Sequence, residues 1–349
     1  MSISSAPRRK WIVTGGAGFI GCHAAARFHR DGDQVVVVDN LSRRGAEENL
    51  GWLRDQGVTD FVRLDVRDRA GVDALLERHA DADAVLHLAG QVAVTTSVLD
   101  PRADFEINAL GTLNVLEAVR LRAGGRPAVL YSSTNKVYGH LDHVKVVERD
   151  GRYGYEDLAM GVSEAEPLDF HSPYGCSKGA GDQYVRDYAR IFGLKTVAFR
   201  QSCIFGTRQF GIEDQGWVAW FCLAATRGQR FTIFGDGKQI RDTLWIDDLI
   251  DAYRATIDRI DDVSGEVFNI GGGPANTLSL LELVALLEAH FGRPLAPSFA
   301  PWRPGDQPVF VADIRKARSR LGWSPRVGTR DGVARLLAWV DANRGLFTV

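Results

Sequence analysis

The sequence has few cysteines, no long apolar run and almost no net charge, and each absence excludes a class of protein. The four cysteines, Cys22, Cys176, Cys203 and Cys222, show no metal-ligand or redox spacing, so we expect reduced thiols and no metal site. No apolar run approaches the ~20 residues that a membrane helix needs, and the polar N-terminus has no signal-peptide core. A net charge of −2 favours neither nucleic acid nor an anionic membrane as partner. We therefore expect a cytoplasmic protein.

The length and composition are those of an ordinary globular protein. A chain of 349 residues is too long for one small core and suits one large domain or two coupled domains. Hydrophobic residues make up 45% of the chain and charged residues 25%, and there is no internal repeat or low-complexity tract.

The most informative stretch is the glycine-rich run TGGAGFIG, which extends from Thr14 to Gly21. It follows the strand-like Trp11–Val13 and opens a helical pattern. Glycines let the chain turn tightly and bring a pyrophosphate against the backbone, while the helix that begins there points its N–H groups and positive end at the anion. Because strand-to-helix turns also use glycine structurally, this run alone leaves dinucleotide binding and a structural turn both open.

Asp39 ends the second apolar strand pattern and strengthens the dinucleotide interpretation. An acid about 20 residues after the glycines accepts hydrogen bonds from an adenosine ribose and repels a 2′-phosphate, which favours NAD over NADP. Arg43 and Arg44 lie close by in the sequence, and their positive charges favour NADP instead. The alternative is that Asp39 is a loop residue or caps the next helix.

Short apolar segments alternate with helical patterns through the first 200 residues. This alternation predicts an α/β fold with a Rossmann-type, doubly wound parallel sheet covered on both faces. The predicted strands are Trp11–Val13, Val35–Asp39, Phe61–Leu64, Ala84–Ala89, Ala128–Ser132 and Thr196–Arg200. The predicted helices are Gly18–Arg30, Arg69–Arg78, Asn108–Ala123 and Pro173–Phe192.

The pattern changes after about residue 200, where Gly, Trp and Phe become frequent and strand-like pieces are short. We expect residues 1–200 to form an NAD-binding Rossmann domain, to which residues 236–262 return. Residues 201–349 are expected to form, mainly, a smaller C-terminal α/β domain for the substrate, with an amphipathic helix over Leu278–Gly292. The long polar segment Gly139–Ser172 is interpreted as a functional loop, with a disordered surface insertion as the alternative.

Tyr174 and Lys178 form a Y-x-x-x-K pair on one face of a predicted helix. A free tyrosine, with a pKa of about 10, is a poor base at neutral pH, and a neighbouring ammonium together with the positive ring of NAD⁺ lowers that pKa. Thr134 follows a predicted strand, where its hydroxyl faces the tyrosine and a sugar oxygen, and Ser132 is structural or faces the cofactor. Since Y-x-x-x-K is common, an ordinary exposed helix pair is the alternative.

Several motifs together resemble the extended short-chain dehydrogenase/reductase family of nucleotide-sugar enzymes, and the likeness covers nearly the whole chain. They are TGGAGFIG, Asp39, LAGQ, YSST, YGCSK and RDTLWIDD. The more specific stretch RQFGIEDQGWVAWF resembles, within this family, the cytidine-diphosphate-sugar 2-epimerase branch. The resemblance implies an NAD-dependent epimerase that oxidises a nucleotide-diphosphate sugar to a keto-sugar and re-reduces it on the opposite face. It also implies a homodimer or homotetramer.

The resemblance implies roles for three groups of residues. The catalytic residues are Thr134, Tyr174 (the base) and Lys178. The cofactor-binding residues are Gly15, Gly18, Phe19, Ile20, Asp39, Asn40, Asp65, Val66, Leu88, Ala89, Gln91, Asn108, Ser132, Tyr174, Lys178 and Cys203. The substrate-binding residues are Gln91, Thr134, Asn135, Gln201, Gln209, Val218, Arg241 and Arg303. The two arginines suit a diphosphate, with surface ion pairs as the alternative.

Because this chain departs from the family pattern at several positions, the identity of the sugar and the carbon that is epimerised are not determined by the resemblance. Gln201, Cys203 and Thr207 differ from the residues that the 2-epimerase branch carries near the nicotinamide and sugar. Epimerisation at C4 of another UDP-, ADP- or GDP-linked sugar is therefore the main alternative. Asn135 and Lys136 stand where related dehydratases carry an Asp–Glu pair, which argues against dehydration. A non-catalytic NAD-binding sensor is the remaining alternative.

Overall fold

The structure, a computed structural model, describes residues 8–303 and 305–347. In chain order its strands are β1 (Lys10–Thr14), β2 (Gln34–Asp39), β3 (Phe61–Arg63), β4 (Ala84–His87), β5 (Ala128–Thr134), β6 (Val146–Arg149), β7 (Arg152–Tyr155), β8 (Thr196–Gln201), β9 (Cys203–Phe205), β10 (Thr232–Phe234), β11 (Ile240–Trp245), β12 (Val267–Ile270), β13 (Thr277–Ser279), β14 (Ser298–Ala300) and β15 (Val309–Phe310). The α-helices are α1 (Phe19–Arg30), α2 (Ala46–Asp55), α3 (Arg69–Arg78), α4 (Val94–Leu99), α5 (Pro101–Phe105), α6 (Gly111–Leu121), α7 (Ser172–Phe192), α8 (Trp217–Thr226), α9 (Ile246–Ile257), α10 (Ile260–Val263), α11 (Leu280–Phe291), α12 (Arg315–Leu321) and α13 (Thr329–Ala342).

Seven strands form a parallel central sheet in the order β3-β2-β1-β4-β5-β8-β12. The chain winds outward from β1 in both directions, which is the doubly wound arrangement. The Rossmann-type fold and all six predicted strands are confirmed. The strand β12 was not predicted, because its four residues, three of them apolar, are too few for a periodicity that separates a strand from a helix.

Side chains of β1 alternate between the two faces of the sheet and so join two cores. Trp11 and Val13 pack with α1 and α9 on one face, whereas Ile12 packs with α3, α6 and α7 on the other. Because β1, β4, β5 and β8 are parallel, their carboxyl ends lie together at one edge of the sheet. Ligands of doubly wound sheets bind at this edge.

The chain after residue 200 contributes to two sheets. Strand β11 pairs with β9, β13 and β15 in a second sheet of four strands, beside which α8, α11 and α13 pack. Strand β12 is the edge strand of the central sheet, and α9 packs against α1. The division of the chain into a cofactor domain and a substrate domain remains a prediction.

Two predicted segments differ from expectation. The segment expected to be helical over Asn108–Ala123 begins with a π-helical turn, Glu106–Leu110, before α6. The segment Gly139–Ser172 is not a structureless loop, because it contains the hairpin β6–β7. Val146, Tyr153 and Tyr155 of that hairpin pack on β11 and β15, so apolar burial orders it. Within the described residues, no helix is both long and apolar enough to cross a membrane.

Candidate active site

The glycine turn between β1 and α1 forms one wall of a deep cleft at the carboxyl edge of the sheet. Gly15 has a φ of 68°, and a Cβ there would lie 2.7 Å from the backbone nitrogen of Ala89 at the end of β4. A Cβ at Gly21 would lie 2.2 Å from the carbonyl oxygen of Gly15, so glycine also lets α1 pack against the turn. The backbone therefore offers the first N–H groups of α1 to a ligand without any side chain between them.

Asp39 and Asp65 stand at the ends of the neighbouring strands and shape the next part of the cleft. The Asp39 carboxylate accepts hydrogen bonds from the backbone N–H groups of Ala17 (3.1 Å) and Leu41 (2.8 Å). Burial raises the pKa of Asp39, and these backbone donors oppose that rise. Asp65 accepts from Asn40 at 2.8 Å, and its bonds with Arg67 lower its pKa to about 2. Asp39 is thus placed to accept a hydrogen bond from a ribose, whereas the Asp65 carboxylate is engaged by Asn40 and Arg67.

Most of the predicted cofactor residues line this cleft. They are Gly15, Gly18, Phe19, Ile20, Asp39, Asn40, Asp65, Val66, Leu88, Ala89, Gln91 and Ser132, and the predicted substrate residue Gln209 joins them. The glycine cradle, the free end of α1 and the two carboxylates fit a dinucleotide such as NAD. When bound, the adenosine ribose would be held by Asp39 and the pyrophosphate by the α1 N-terminus.

A second group of lining residues forms a roof over the cleft. It includes Arg43 and Asn49, which were not predicted to line it, and Arg208, Phe210 and Gln215 of the stretch RQFGIEDQGWVAWF that carries the resemblance. The Arg43 guanidinium donates a hydrogen bond to the Gln215 side chain, and a Cβ at Gly45 would clash with the ring of Phe210. Only the fold brings the segments near residues 43 and 210 together, so their contact was not predictable from local patterns in the sequence.

Thr134, Tyr174 and Lys178 lie at the end of β5 and on the facing side of α7, and each is almost fully buried. The Lys178 ammonium lies 4.3 Å from the centre of the Tyr131 ring. A Cβ at Gly90, in the cleft wall, would lie 3.8 Å from the Lys178 Nζ. The structure therefore brings the three predicted catalytic residues together beside the cofactor cleft.

The pKa values of Tyr174 and Lys178 are shifted in opposite directions by burial. Burial raises the pKa of Tyr174 to about 12, while a hydrogen bond with Thr134 and the charge of Arg43 act to lower it. Burial lowers the pKa of Lys178 to about 7, and the charges of Asp104 and Asp182 oppose this shift. Lys178 was expected to lower the pKa of Tyr174. The protein's own groups do not produce this lowering.

A buried polar network that sequence analysis missed holds α7 and the π-helical turn together. Asp104 is 1% exposed and accepts hydrogen bonds from the Ser177 hydroxyl and from Asn108 Nδ2 (3.1 Å). The Asn108 side-chain oxygen accepts from the Gln91 backbone N–H at 2.9 Å. The wide π turn directs Asn108 into this network, and such turns are frequent at functional sites. Asn108 therefore supports the cleft wall from behind rather than lining it.

Three other predicted site residues, Gln201, Val218 and Cys203, do not line the cleft. Gln201 donates its Nε2–H to the Tyr253 hydroxyl at 2.6 Å, and Val218 is buried in the apolar core. Cys203 lies on β9 beside β11 and does not line the cleft. Burial raises its pKa to about 12, so its thiol is un-ionised at neutral pH.

The two predicted diphosphate arginines lie on the side of the second sheet. Arg241, on β11, is half-buried and donates to the Ile240 carbonyl at 2.8 Å. Arg303 stacks over the Phe234 ring at 3.7 Å and pairs with Asp214 at 2.9 Å. Asn135 follows Thr134 in a one-turn 3₁₀ helix, Asn135–Tyr138.

The site and fold are those of an NAD-using short-chain dehydrogenase/reductase, and the chain belongs to the NAD dependent epimerase/dehydratase family, which matches residues 11–271. It is 48% identical over 338 residues to CDP-paratose 2-epimerase of Salmonella typhi, across 95% of this chain and 99% of that protein. The structure of UDP-glucose 4-epimerase of Thermotoga maritima with UDP-glucose matches with a TM-score of 0.82 and 31% identity, over 96% of this chain and 99% of that one. The UDP-glucose 4-epimerase of Thermus thermophilus in complex with NAD matches with a TM-score of 0.79, 31% identity and the same coverage of 96% and 99%. The family predicted from the motifs, and NAD as its cofactor, are confirmed.

Proposed function

We propose that this protein is an NAD-dependent nucleotide-sugar epimerase that acts on a CDP-linked sugar, as CDP-paratose 2-epimerase does. The observation that carries the proposal is the position of Tyr174 and Lys178 on α7, facing Thr134 beside the cofactor cleft. The 48% identity with CDP-paratose 2-epimerase supports the substrate and the C2 position. Epimerisation at C4 is supported by the likeness to UDP-glucose 4-epimerases and is the second candidate.

When bound, NAD⁺ supplies a hydride acceptor, the corresponding donor for the return step, and a positive charge beside the phenol. Tyr174, as the phenolate, takes the proton from the sugar hydroxyl, and the resulting phenol returns the proton after the keto-sugar has turned. Thr134 hydrogen-bonds the same sugar oxygen and aligns it with the tyrosine. Lys178 stabilises the phenolate through its ammonium, for which its charged form is required.

Elimination of water needs carboxylates near the reacting carbon, and this chain has none at the equivalent place. Asn135 and Lys136 directly follow Thr134 in the 3₁₀ helix. An amide and an ammonium do not form the acid–base pair that elimination requires. The site is thereby suited to epimerisation rather than to dehydration.

The test is a panel of CDP-, UDP-, ADP- and GDP-sugars, each incubated with the purified protein and followed by NMR. We expect inversion of CDP-paratose at C2, with a deuterium at the reacting carbon retained in the product. Inversion of another sugar at C4 would favour the second candidate. Loss of water, or bound NAD without turnover on any sugar, would instead indicate a dehydratase or a sensor.

We also propose that the protein assembles as a homodimer or homotetramer through α4–α7. Helices α4, α5, α6 and α7 are neighbours and expose large apolar side chains. This apolar patch consists of Val98, Leu99, Phe105, Leu121, Ile191 and Phe192, of which Leu99 is 86% exposed. Several exposed large apolar side chains on neighbouring helices are typical of a protein–protein contact.

A further inference from the structure

Asp104 is a buried carboxylate beside the proposed catalytic residues, and the mechanism does not use it. It lies on α5, is 1% exposed and, within the described part of the chain, forms no ion pair. Burial raises its pKa, whereas a hydrogen bond with Ser177 and the charge of Lys178 act against that rise. A buried carboxylate without an ion-pair partner costs stability, which points to a role in the site rather than in the fold.

The two carboxylate oxygens of Asp104 bind donors on two different elements. One oxygen accepts from the Asn108 Nδ2–H at 3.1 Å, in the π-helical turn, and the other accepts from the Ser177 hydroxyl on α7. Ser177 follows Tyr174 by three residues and directly precedes Lys178. Because a carboxylate only accepts hydrogen bonds, both partners must turn a donor towards it. Asp104 therefore holds the two side chains in one orientation each.

The Asn108 amide connects Asp104 to the wall of the cofactor cleft. Its Nδ2 also donates to the Gln91 carbonyl at 3.1 Å, and its Oδ1 accepts from the Gln91 backbone N–H at 2.9 Å. Gly90 and Gln91 line the cleft. A Cβ at Gly90 would lie 3.0 Å from Asn108 Oδ1 and 3.8 Å from Lys178 Nζ, so the wall, the amide and the ammonium are neighbours. A reversed amide would lose both hydrogen bonds with Gln91.

The backbone of the π-helical turn is fixed from its other side. The Thr112 hydroxyl has a single hydrogen, which it donates to the Asn108 carbonyl at 2.6 Å, so it must accept from the His87 Nε2–H at 3.1 Å. The His87 Nδ1 then accepts from the Thr14 hydroxyl at 2.7 Å. Burial lowers the pKa of His87 to about 3, which keeps the ring neutral, as this arrangement requires. The turn is thus tied to β1 directly before the glycine turn.

We propose that Asp104 is a positioning residue, which sets the distance between the Gly90–Gln91 wall of the cofactor cleft and the helix α7 that carries Tyr174 and Lys178. The inference rests on the proposed function. Asp104 does not line the cleft, and it acts only through the side chains that it holds. A misplacement of about 1 Å at a reacting group costs about 10²-fold in rate. Loss of this carboxylate should therefore reduce turnover more than it reduces NAD binding.

The first experiment measures hydrogen–deuterium exchange at the Gly90–Gln91 wall by mass spectrometry in the NAD-loaded wild type, Asp104→Ala and Asp104→Asn. We expect the Gln91 amide to exchange about tenfold faster or more in Asp104→Ala, because Asn108 loses the acceptor that orients it. Asp104→Asn keeps one acceptor and should show a smaller change. Thr196→Ala is the matched control, because it removes a buried hydroxyl that donates to the Val185 carbonyl at 2.6 Å, at the amino end of β8.

The second experiment compares kcat, the KM of the sugar and the dissociation constant of NAD in the same variants. We expect Asp104→Ala to lower kcat by about 10²-fold and to change the other two constants by less than about threefold. Asp104→Asn should recover most of kcat, because its amide can still accept from Asn108 and donate to the Ser177 oxygen. Adding Ser177→Ala to Asp104→Ala should lower kcat no further, since both changes remove the same hydrogen bond.

Any of three results would overturn the proposal. The first is an unchanged Gln91 exchange rate in Asp104→Ala or, where that variant does not fold, in both Asp104→Asn and Ser177→Ala. The second is an equal loss of kcat in Thr196→Ala at a similar Tm, which would assign the effect to stability alone. The third is a pair of kcat losses that multiply in the double variant. If the wild type inverts no nucleotide sugar, the proposed function is wrong, whereas the exchange experiment still decides whether Asp104 holds the wall.

Discussion

The Lys178 ammonium lies 4.3 Å from the centre of the Tyr131 ring, and the Tyr131 hydroxyl donates to the Lys178 backbone carbonyl at 3.3 Å. One fully buried tyrosine thus contacts both ends of the lysine. The ring face attracts the ammonium, whereas burial disfavours its charge. Burial lowers the pKa of Lys178 to about 7 against the opposing charges of Asp104 and Asp182, so small changes at this site alter the charge of the lysine at physiological pH.

Replacing Lys178 with methionine should change how stability depends on pH. The folded-state pKa of about 7 lies below the value of about 10.5 in the unfolded chain, so the unfolded state binds more protons between these values. The wild type should therefore gain stability relative to Lys178→Met as the pH rises from 7 to 10. Urea unfolding at pH 6.5, 8 and 9.5 measures this. A constant difference between the two proteins would contradict the shifted pKa.

Replacing Tyr174 with phenylalanine should abolish most turnover while NAD binding is retained. The ring still fills its buried site, but the oxygen that takes the sugar proton is gone, which costs about 10²- to 10⁴-fold in kcat. Tyr184→Phe is the matched control, because Tyr184 lies on the same helix and is 48% exposed. Comparable activity of both variants would remove Tyr174 from the proposed mechanism.

Replacing Asp39 with alanine should weaken NAD binding by about tenfold or more and reduce the preference over NADP. In the proposed cofactor site the Asp39 carboxylate would accept a hydrogen bond from the ribose and repel a 2′-phosphate, whereas Arg43, which remains in the variant, would attract one. Dissociation constants for both cofactors measure the change. Asp60→Ala, at an exposed position before β3, should leave them unaltered. A Tm measurement is needed as well, since Ala17 and Leu41 lose their acceptor.

Introducing a charge into the apolar patch on α4–α7 should dissociate the assembly. Leu99→Asp and Ile191→Asp place a carboxylate where an apolar contact is proposed, and we expect monomers by light scattering coupled to size-exclusion chromatography. Phe299→Asp, at an exposed apolar position on β14, is the control and should keep the wild-type mass. A wild type that is already monomeric would contradict the proposed assembly.

Local signals in the sequence predicted the central sheet and the cofactor turn. The Gly15–Gly21 turn depends on residues that are neighbours in the chain, so its glycine motif can be recognised from the sequence alone. The hairpin β6–β7 was not predicted, since it is stabilised by packing on β11 and β15, which lie far along the chain. Likewise, nothing near Asn108 signals the π turn, whose network includes Ser177 and Asp104.

The sequence by itself determined the order of the central-sheet strands and the family, and it singled out the proposed catalytic residues, because these depend on short periodic patterns and motifs. Only the tertiary structure decided the environment of those residues. Burial raises the Tyr174 pKa and lowers that of Lys178. Desolvation and charge interactions depend on distances in space, and the chain sets those distances only when it folds.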